Sequence, residues 1–512
     1  MCRLIMHRQP VFESFFLLLS FSQLALADVK PAKVFSDHMV IQQQMPIRVW
    51  GWADKGEKVT VSFAGMSATK AANDQGFWRI EFPAAKADGE KHKLRIQGKN
   101  TIEFKDVVLG EVWIAAGQSN MNRETKIKED HPDVRLFWVH GSVVPTERDF
   151  GDNALGWCVA TQDSLKAFYP ARQAIHRNYG MGTCEVGWVF GKRIQERVKV
   201  PVGIIKTAFG GSMARAWTPI ENFTDKYSFG KKEEGGYVGH REGLLYNTML
   251  QWLGPMSVRG VVWYQGENDG RTWDYDQDLK AMIQSWRELF EQPKLPFYLA
   301  QISQTGFASN MLRVWECQAK VSSEDPDVYL GMSVNLYDGV KGKGAVRVHE
   351  DTEREKGTGW ILAGSSNPHP PNKHIVAERL ANLALVNTYG LKRKQEVHAP
   401  RYHSHSVQGK KLLVKFVNVG YGLKTDNGKL PDWFELSDGS QGERKGEKQP
   451  LIYHPATARI VSKDTIELTS SGLNEPKHAR LGWHAYARHN LTNSSGLPAV
   501  NFRTDKQLTK KR

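Results

Sequence analysis

The sequence predicts an α/β fold, a parallel sheet with crossover helices, flanked along the chain by β-regions. Three observations lead there. The middle third carries short apolar runs of buried-strand type: Val107 to Ala116, Val202 to Lys206, Val258 to Tyr264, Pro296 to Ala300 and Val328 to Val334. Between them lie helix candidates at Trp188 to Arg197, Tyr275 to Phe290 and Lys373 to Thr388, which suits strands joined by crossover helices. On both sides of this region the apolar period falls to two.

Residues 1–27 hold Arg3 and Arg8, the apolar stretch Phe15 to Phe21, and Ala25-Leu26-Ala27 before Asp28. A charged start, a short apolar core and an Ala-x-Ala site read as a secretory signal peptide. The stretch is broken by Ser20, Ser22 and Gln23 and is shorter than a bilayer requires, so no membrane span is expected. From 28 to 106, Ile47 to Trp52, Val59 to Phe63, Trp78 to Phe82 and His92 to Ile96 alternate between turns, which predicts a small antiparallel β-domain. The α/β region runs from 107 to 391. From 392 to 512, strands such as Lys411 to Phe416 and Thr465 to Leu468 return, ending in a basic tail at Lys510-Lys511-Arg512.

A formal net charge of +14 suggests attraction to acidic surfaces or glycans. The basic residues are spread along the chain and no nucleic-acid fold signature accompanies them, so nucleic acid is not an expected partner. Cys158, Cys184 and Cys317 remain after the signal peptide, compatible with one disulfide and one buried thiol, Cys158 and Cys184 being closest in sequence. No Cys-x-x-Cys or His-Glu-x-x-His occurs, so neither a metal site nor a cofactor is predicted.

In open α/β sheets, ligands bind beyond the carboxyl ends of the strands. The first run ends in Gly117-Gln118-Ser119-Asn120, the second in Phe209-Gly210-Gly211-Ser212, and the third in Gln265-Gly266-Glu267-Asn268-Asp269. A serine presented by a glycine turn behind a buried strand is a candidate nucleophile. The backbone N–H groups of Ser119 and Gly211 and the Asn268 amide are candidate donors to an oxyanion. Among seventeen histidines, His369 stands out in the rigid segment Asn367-Pro368-His369-Pro370-Pro371, just before a helix, as a candidate base.

These blocks together resemble the sialate O-acetylesterase group of the SGNH (GDSL-like) hydrolase superfamily. The resemblance extends from Val34 to Gln42 and Val49 to Ala53, through Gly110 to Met121, Pro201 to Trp217, Trp263 to Glu267 and His369 to Ala381, to Gly496 to Ala499 and Phe502 to Asp505. It implies a three-layer, flavodoxin-like parallel sheet with helices on both faces, and β-sandwich-like flanking regions. It also implies a serine esterase that removes O-acetyl groups from sialic acid or a related sugar through an acetyl-enzyme, with Ser119 as nucleophile. Gly211 and Asn268 become oxyanion donors, His369 the base and then acid, and Gly210 an alternative block glycine.

One departure concerns the third triad member, an aspartate two or three residues before the histidine in this group. Here those positions hold Asn367 and Ser366, so Asp338 or Asp351, or a backbone carbonyl, is left to orient His369. Gln118, Gly210, Gln265, Glu267 and Trp217 are candidate substrate contacts. Trp217, Tyr264, Trp273 and Trp315 are candidates for stacking on a sugar ring. Two other functions fit the same residues: an acetyl esterase for xylan, pectin or an algal polysaccharide, and a catalytically impaired protein that binds acidic glycans. The expected partner is an acetylated carbohydrate, and the expected location periplasmic or extracellular. Asn222, Asn490 and Asn493 are glycosylation acceptors only in a eukaryotic secretory pathway, and a bacterial host is expected.

Overall fold

The computed structural model describes residues 28–140, 149–150, 154–175, 183–223, 237–271, 274–305, 310–336, 338, 367–442 and 451–505. The central sheet contains β1 (Thr101–Gly117), β2 (His131–Val139), β3 (Ala154–Ala160), β4 (Val202–Ala208), β5 (Gly260–Tyr264), β6 (Phe297–Ala300) and β7 (Val328–Gly331). Their order across the sheet is β3-β2-β4-β1-β5-β6-β7. Every neighbouring pair is parallel except β2 with β3. The sheet is therefore mixed, where the sequence predicts a purely parallel one, and the antiparallel strand sits at its edge.

The helices are α1 (Ser119–Asn122), α2 (Gln162–Ile175), α3 (Glu185–Val198), α4 (Tyr275–Leu289), α5 (Met311–Glu324) and α6 (Lys373–Asn387). Successive residues of a strand point to opposite faces, so β1 feeds two cores. Val112, Ile114 and Ala116 pack with apolar residues of α4 and α5, while Trp113 and Ala115 pack with those of α3 and α6. Each face of the sheet thus carries helices.

β1 also ties the amino-terminal strands to the centre. Its first half pairs with His92–Gln97 and its second half with β4 and β5. A separate small sheet joins Lys30–Pro31, Ile47–Trp52 and Phe77–Phe82. Beyond α6, two four-stranded sheets enclose a third core that includes Leu412, Phe434, Ile466 and Leu481. Cys158, Cys184 and Cys317 are all buried free thiols, so the disulfide that the sequence allows is not formed. Among the described residues, no helix is long and apolar enough to cross a membrane. Residues 1–27 lie outside the described residues.

Candidate active site

β4, β1 and β5 are adjacent, and the three segments that follow them meet. At the end of β1, Gly117 has φ +142°, and a Cβ there would lie 2.1 Å from the carbonyl oxygen of Tyr264. Only glycine lets the two strand ends come this close. The chain then turns into α1, whose first residue is Ser119. The turn is fixed from behind: Gln118 N–H donates to Tyr264 O at 3.0 Å, and Phe209 N–H donates to Gly117 O at 3.0 Å.

His369 reaches this serine from the segment before α6. Its Nε2 lies 2.8 Å from Ser119 Oγ. On the other side of the ring, Nδ1 lies 2.7 Å from Asn367 Oδ1. The His369 backbone N–H also donates to Asn367 Oδ1, at 3.2 Å. A backbone N–H needs an acceptor, so it holds the amide with its oxygen toward the ring. That oxygen in turn requires the proton on Nδ1, leaving the Nε2 lone pair for the serine hydroxyl. Burial, followed by the charges of Lys373 and Arg123, lowers the His369 pKa from its ordinary 6.5, so the ring is neutral at pH 7.

Of the two carboxylates considered as partners for His369, Asp338 is engaged elsewhere. Asp338 is gripped by Arg488, with Oδ1 at 3.0 Å from Nε and Oδ2 at 2.6 Å from a terminal nitrogen. Arg488 provides a bidentate partner that a neutral imidazole does not, and Asn367 occupies the place at Nδ1. Asp351 lies outside the described residues.

Gly210 and Gly211 follow the end of β4, and Gly210 lies against Ser119. A Cβ on Gly210 would sit 3.9 Å from the serine Cβ, and Gly211 has φ +66°. Among the described residues, the backbone N–H groups of Ser119 and Gly211 donate to no protein acceptor. Free N–H groups beside a nucleophile are what an oxyanion requires. Asn268 is differently placed: its Nδ2 donates to Gly211 O at 2.6 Å and also meets His240 Nε2. Its amide therefore joins the β4 and β5 loops, and a substrate oxygen would compete with His240 for it.

Four candidate substrate contacts are buried instead. Trp217 is fully buried, with its Nε1–H donating to Ser212 Oγ at 2.9 Å and its ring edge-on to Trp263. Gln118 Oε1 accepts from Gly266 N–H at 3.3 Å. Gln265 Nε2 donates to Ser212 O at 2.9 Å and to the Asp269 carboxyl. Glu267 accepts from the amide of Asn120, which also donates to Pro368 O at 2.8 Å. These side chains hold loops to one another rather than facing a ligand. Tyr264 and Trp315 are buried too, and Trp273 lies outside the described residues.

Sequence reasoning missed Asn120, Tyr237 and His240, and treated Asn367 only as a missing aspartate. Asn120 is the residue after the nucleophile candidate, and its side chain ties the serine turn to the histidine segment. Tyr237 is 51% exposed, and its hydroxyl donates to Gly210 O. Its ring covers Gly211 and stands edge-on to His240, with centroids 5.1 Å apart. An exposed aromatic ring thus stands over the Gly210-Gly211 turn, supplied by a residue remote from the recognised blocks.

A serine hydroxyl on a strand-end turn, hydrogen-bonded to a histidine whose far nitrogen is held by a polar side chain, is the arrangement of serine-type hydrolases. The family model described as carbohydrate esterase, sialic acid-specific acetylesterase, matches residues 109–367, half of the chain. The chain belongs to this family. Human sialate O-acetylesterase is 27% identical over 316 residues, which cover 53% of this chain and 57% of that protein. The rat sialate O-acetylesterase is 24% identical over 439 residues, covering 70% of this chain and 74% of that protein. The chain thus matches somewhat over half the length of the human relative. A solved carbohydrate acetylesterase from Xanthomonas citri superposes with a TM-score of 0.73 at 27% identity, covering 94% of this chain and 100% of that one. That likeness supports a carbohydrate esterase fold with a large mixed sheet and further β-sheets.

Proposed function

We propose that the protein is a carboxylic ester hydrolase that removes O-acetyl groups from sugars, sialic acid among them, through an acetyl-enzyme on Ser119. The observation that carries this reading is the 2.8 Å contact between Ser119 Oγ and His369 Nε2, made by a histidine already in the required tautomer. His369 takes the serine proton as Oγ attacks the acetyl carbonyl. The N–H groups of Ser119 and Gly211, with the Asn268 amide, stabilise the oxyanion. Collapse of the tetrahedral intermediate expels the sugar hydroxyl, which takes the proton back from His369. Water, deprotonated by the same ring, then releases acetate and restores Ser119.

The intact Ser–His pair favours an enzyme over an impaired glycan-binding protein. We read the central sheet as the three-layer SGNH type and keep the division at 28–106, 107–391 and 392–512. Residues 1–27 are read as a signal peptide for periplasmic or extracellular export. Purified protein is expected to release acetate from O-acetylated sialic acid and from p-nitrophenyl acetate, and Ser119→Ala and His369→Ala are each expected to lose at least about a thousandfold in kcat. Equal rates for the wild type and Ser119→Ala overturn the proposal. Acetate release from acetylated xylan or pectin but not from sialic acid moves the substrate to those polymers.

A further inference from the structure

The carboxyl end of α6 opens on a second cleft, at the opposite end of this helix from His369. A helix of 15 residues rises about 22 Å, which sets the cleft roughly 20 Å from the Ser119–His369 pair. The cleft has a volume of about 550 Å³. Val397 is buried in its wall and Leu391 half-buried, while Lys392, Lys394 and Lys463 are exposed and Arg393 is partly so. The one carboxylate among its lining residues, Glu396, is turned into its own loop. Glu396 Oε1 accepts from the backbone N–H groups of Val397 and His398, each at 2.9 Å, and lies 3.0 Å from His398 Nδ1.

The four cations have no carboxylate partner among the described residues; Arg393 donates to the amide oxygen of Asn382. Burial, then the like charges of Arg193 and Arg197, lowers the Arg393 pKa, so six cationic groups gather here. An ordinary explanation is that basic residues offset helix dipoles, because α3 and α6 both end nearby. Two helix ends supply about one negative charge between them, and Glu396 and Glu196, the latter 3.6 Å from Arg193, supply two more, which leaves roughly three positive charges uncompensated. Such crowding favours an anionic ligand.

An aromatic side chain stands at the same cleft. Tyr421 is 85% exposed, the highest value among the large apolar side chains described. It is held between Gly420 at φ +59° and Gly422 at φ +153°, and its N–H donates to Ser494 Oγ at 3.0 Å. A Cβ on Gly420 would lie 2.6 Å from that same oxygen, so the tip depends on glycine there. An exposed ring on a backbone-braced tip, beside an apolar wall and clustered cations, matches a ligand with both C–H faces and acid groups.

We propose that this cleft is an ancillary binding site for an anionic oligosaccharide, carboxylated or sulfated, with a sugar ring on Tyr421 and acid groups among Lys392, Arg393, Lys394 and Lys463. The site does not depend on the esterase reading. The test is affinity electrophoresis of the full-length protein through gels containing polygalacturonate or a sulfated glucan, with dextran as the neutral control. The variant Lys392→Gln/Arg393→Gln/Lys463→Gln and, separately, Tyr421→Ala are each expected to weaken retardation at least tenfold. Lys58→Gln/Lys70→Gln/Lys86→Gln, which removes the same charge from exposed positions near the amino terminus, is expected to bind as wild type. Hydrolysis of p-nitrophenyl acetate is expected to be unchanged in all three. The proposal is overturned if neither anionic polymer retards the wild type, if the control triple variant weakens binding equally, or if Tyr421→Ala binds as tightly as wild type.

Discussion

Replacing Asn367 by aspartate tests how the histidine is held. The Asn367 oxygen lies 2.7 Å from His369 Nδ1, and Asn367 is exposed while the ring is half-buried. A carboxylate there would face an imidazolium with charge centres about 4 Å apart, worth roughly 4 kcal/mol at an effective dielectric of 20 and about 1 kcal/mol in water. Exposure of residue 367 places the effect toward the lower limit, at about 1–2 kcal/mol. Because an imidazolium forms during attack by Ser119, kcat/KM for p-nitrophenyl acetate at pH 8 is expected to rise about 5- to 30-fold. The acid limb of the pH–rate profile should move as well. In the wild type, burial holds the His369 pKa below its ordinary 6.5, so activity is expected to fall only under that value. With Asn367→Asp the charged form is favoured, and the limb is expected to shift upward by about one pH unit. Asn367→Ala removes the hold on the tautomer, and about a 10- to 100-fold loss is expected. If both variants keep the wild-type rate and acid limb, the assignment of Asn367 as the positioning residue is wrong.

The other expectations are simpler to state. Gly117→Ala drives a Cβ into the Tyr264 carbonyl and is expected to abolish activity and cost at least about 3 kcal/mol of stability; a soluble variant with the wild-type urea midpoint refutes this. Tyr237→Ala is expected to raise KM for an O-acetylated sugar about 2- to 10-fold, and more than for p-nitrophenyl acetate, because loss of ring stacking affects only the sugar. Burial pushes the Glu267 pKa from 4.5 up to about 7, so its stabilising protonated form is fully present below pH 4.5 and lost as the pH rises through 7. Glu267→Gln is therefore expected to gain up to about 3 kcal/mol relative to wild type between pH 5 and pH 9, read by urea unfolding at each pH. Parallel pH dependences contradict that assignment.

The central strands were legible because they are nearly continuous apolar runs, which strands buried on both faces require. β2 and β3 were not, since His131-Pro132-Asp133 opens β2 on a polar note and β3 is an antiparallel edge strand outside the βαβ rhythm. Helix α2 contains Pro170, a residue that argues against a helix interior when only the sequence is known. At the site, the strand-end rule singled out Ser119, Gly210, Gly211 and Asn268, because turn residues behind apolar runs are visible in one dimension. Tyr237 and His240 reach Gly211 and Asn268 only through tertiary contact, and no periodicity marks them. Trp217 was chosen for its ring, yet a ring does not declare its surroundings. Its indole lies against Trp263 and Trp286 in the core.

Around the candidate site the loops are joined mainly by neutral amides. Gln118 links the first loop to the third, Gln265 and Asn268 link the third to the second, and Asn120 links the first to the third and to the histidine segment. An amide both donates and accepts without titrating, so these links persist over a wide pH range. The carboxyl groups beneath them follow the same logic, because burial raises Glu267 to about 7 and Asp269 to about 8, so neither is fully ionised at neutral pH. Lys373 is lowered to about 8, chiefly by burial, and its Nζ donates to Pro370 O at 2.6 Å, bracing the segment that carries His369. Asn367 extends this pattern to the ring itself. A carboxylate there would stabilise the imidazolium but also raise the histidine pKa, so the ring would be protonated at mildly acidic pH. An amide fixes the same tautomer and leaves the base free at lower pH, at the cost of transition-state stabilisation. On the proposed mechanism, an amide in the place of a triad aspartate is expected to shift the working range toward acid.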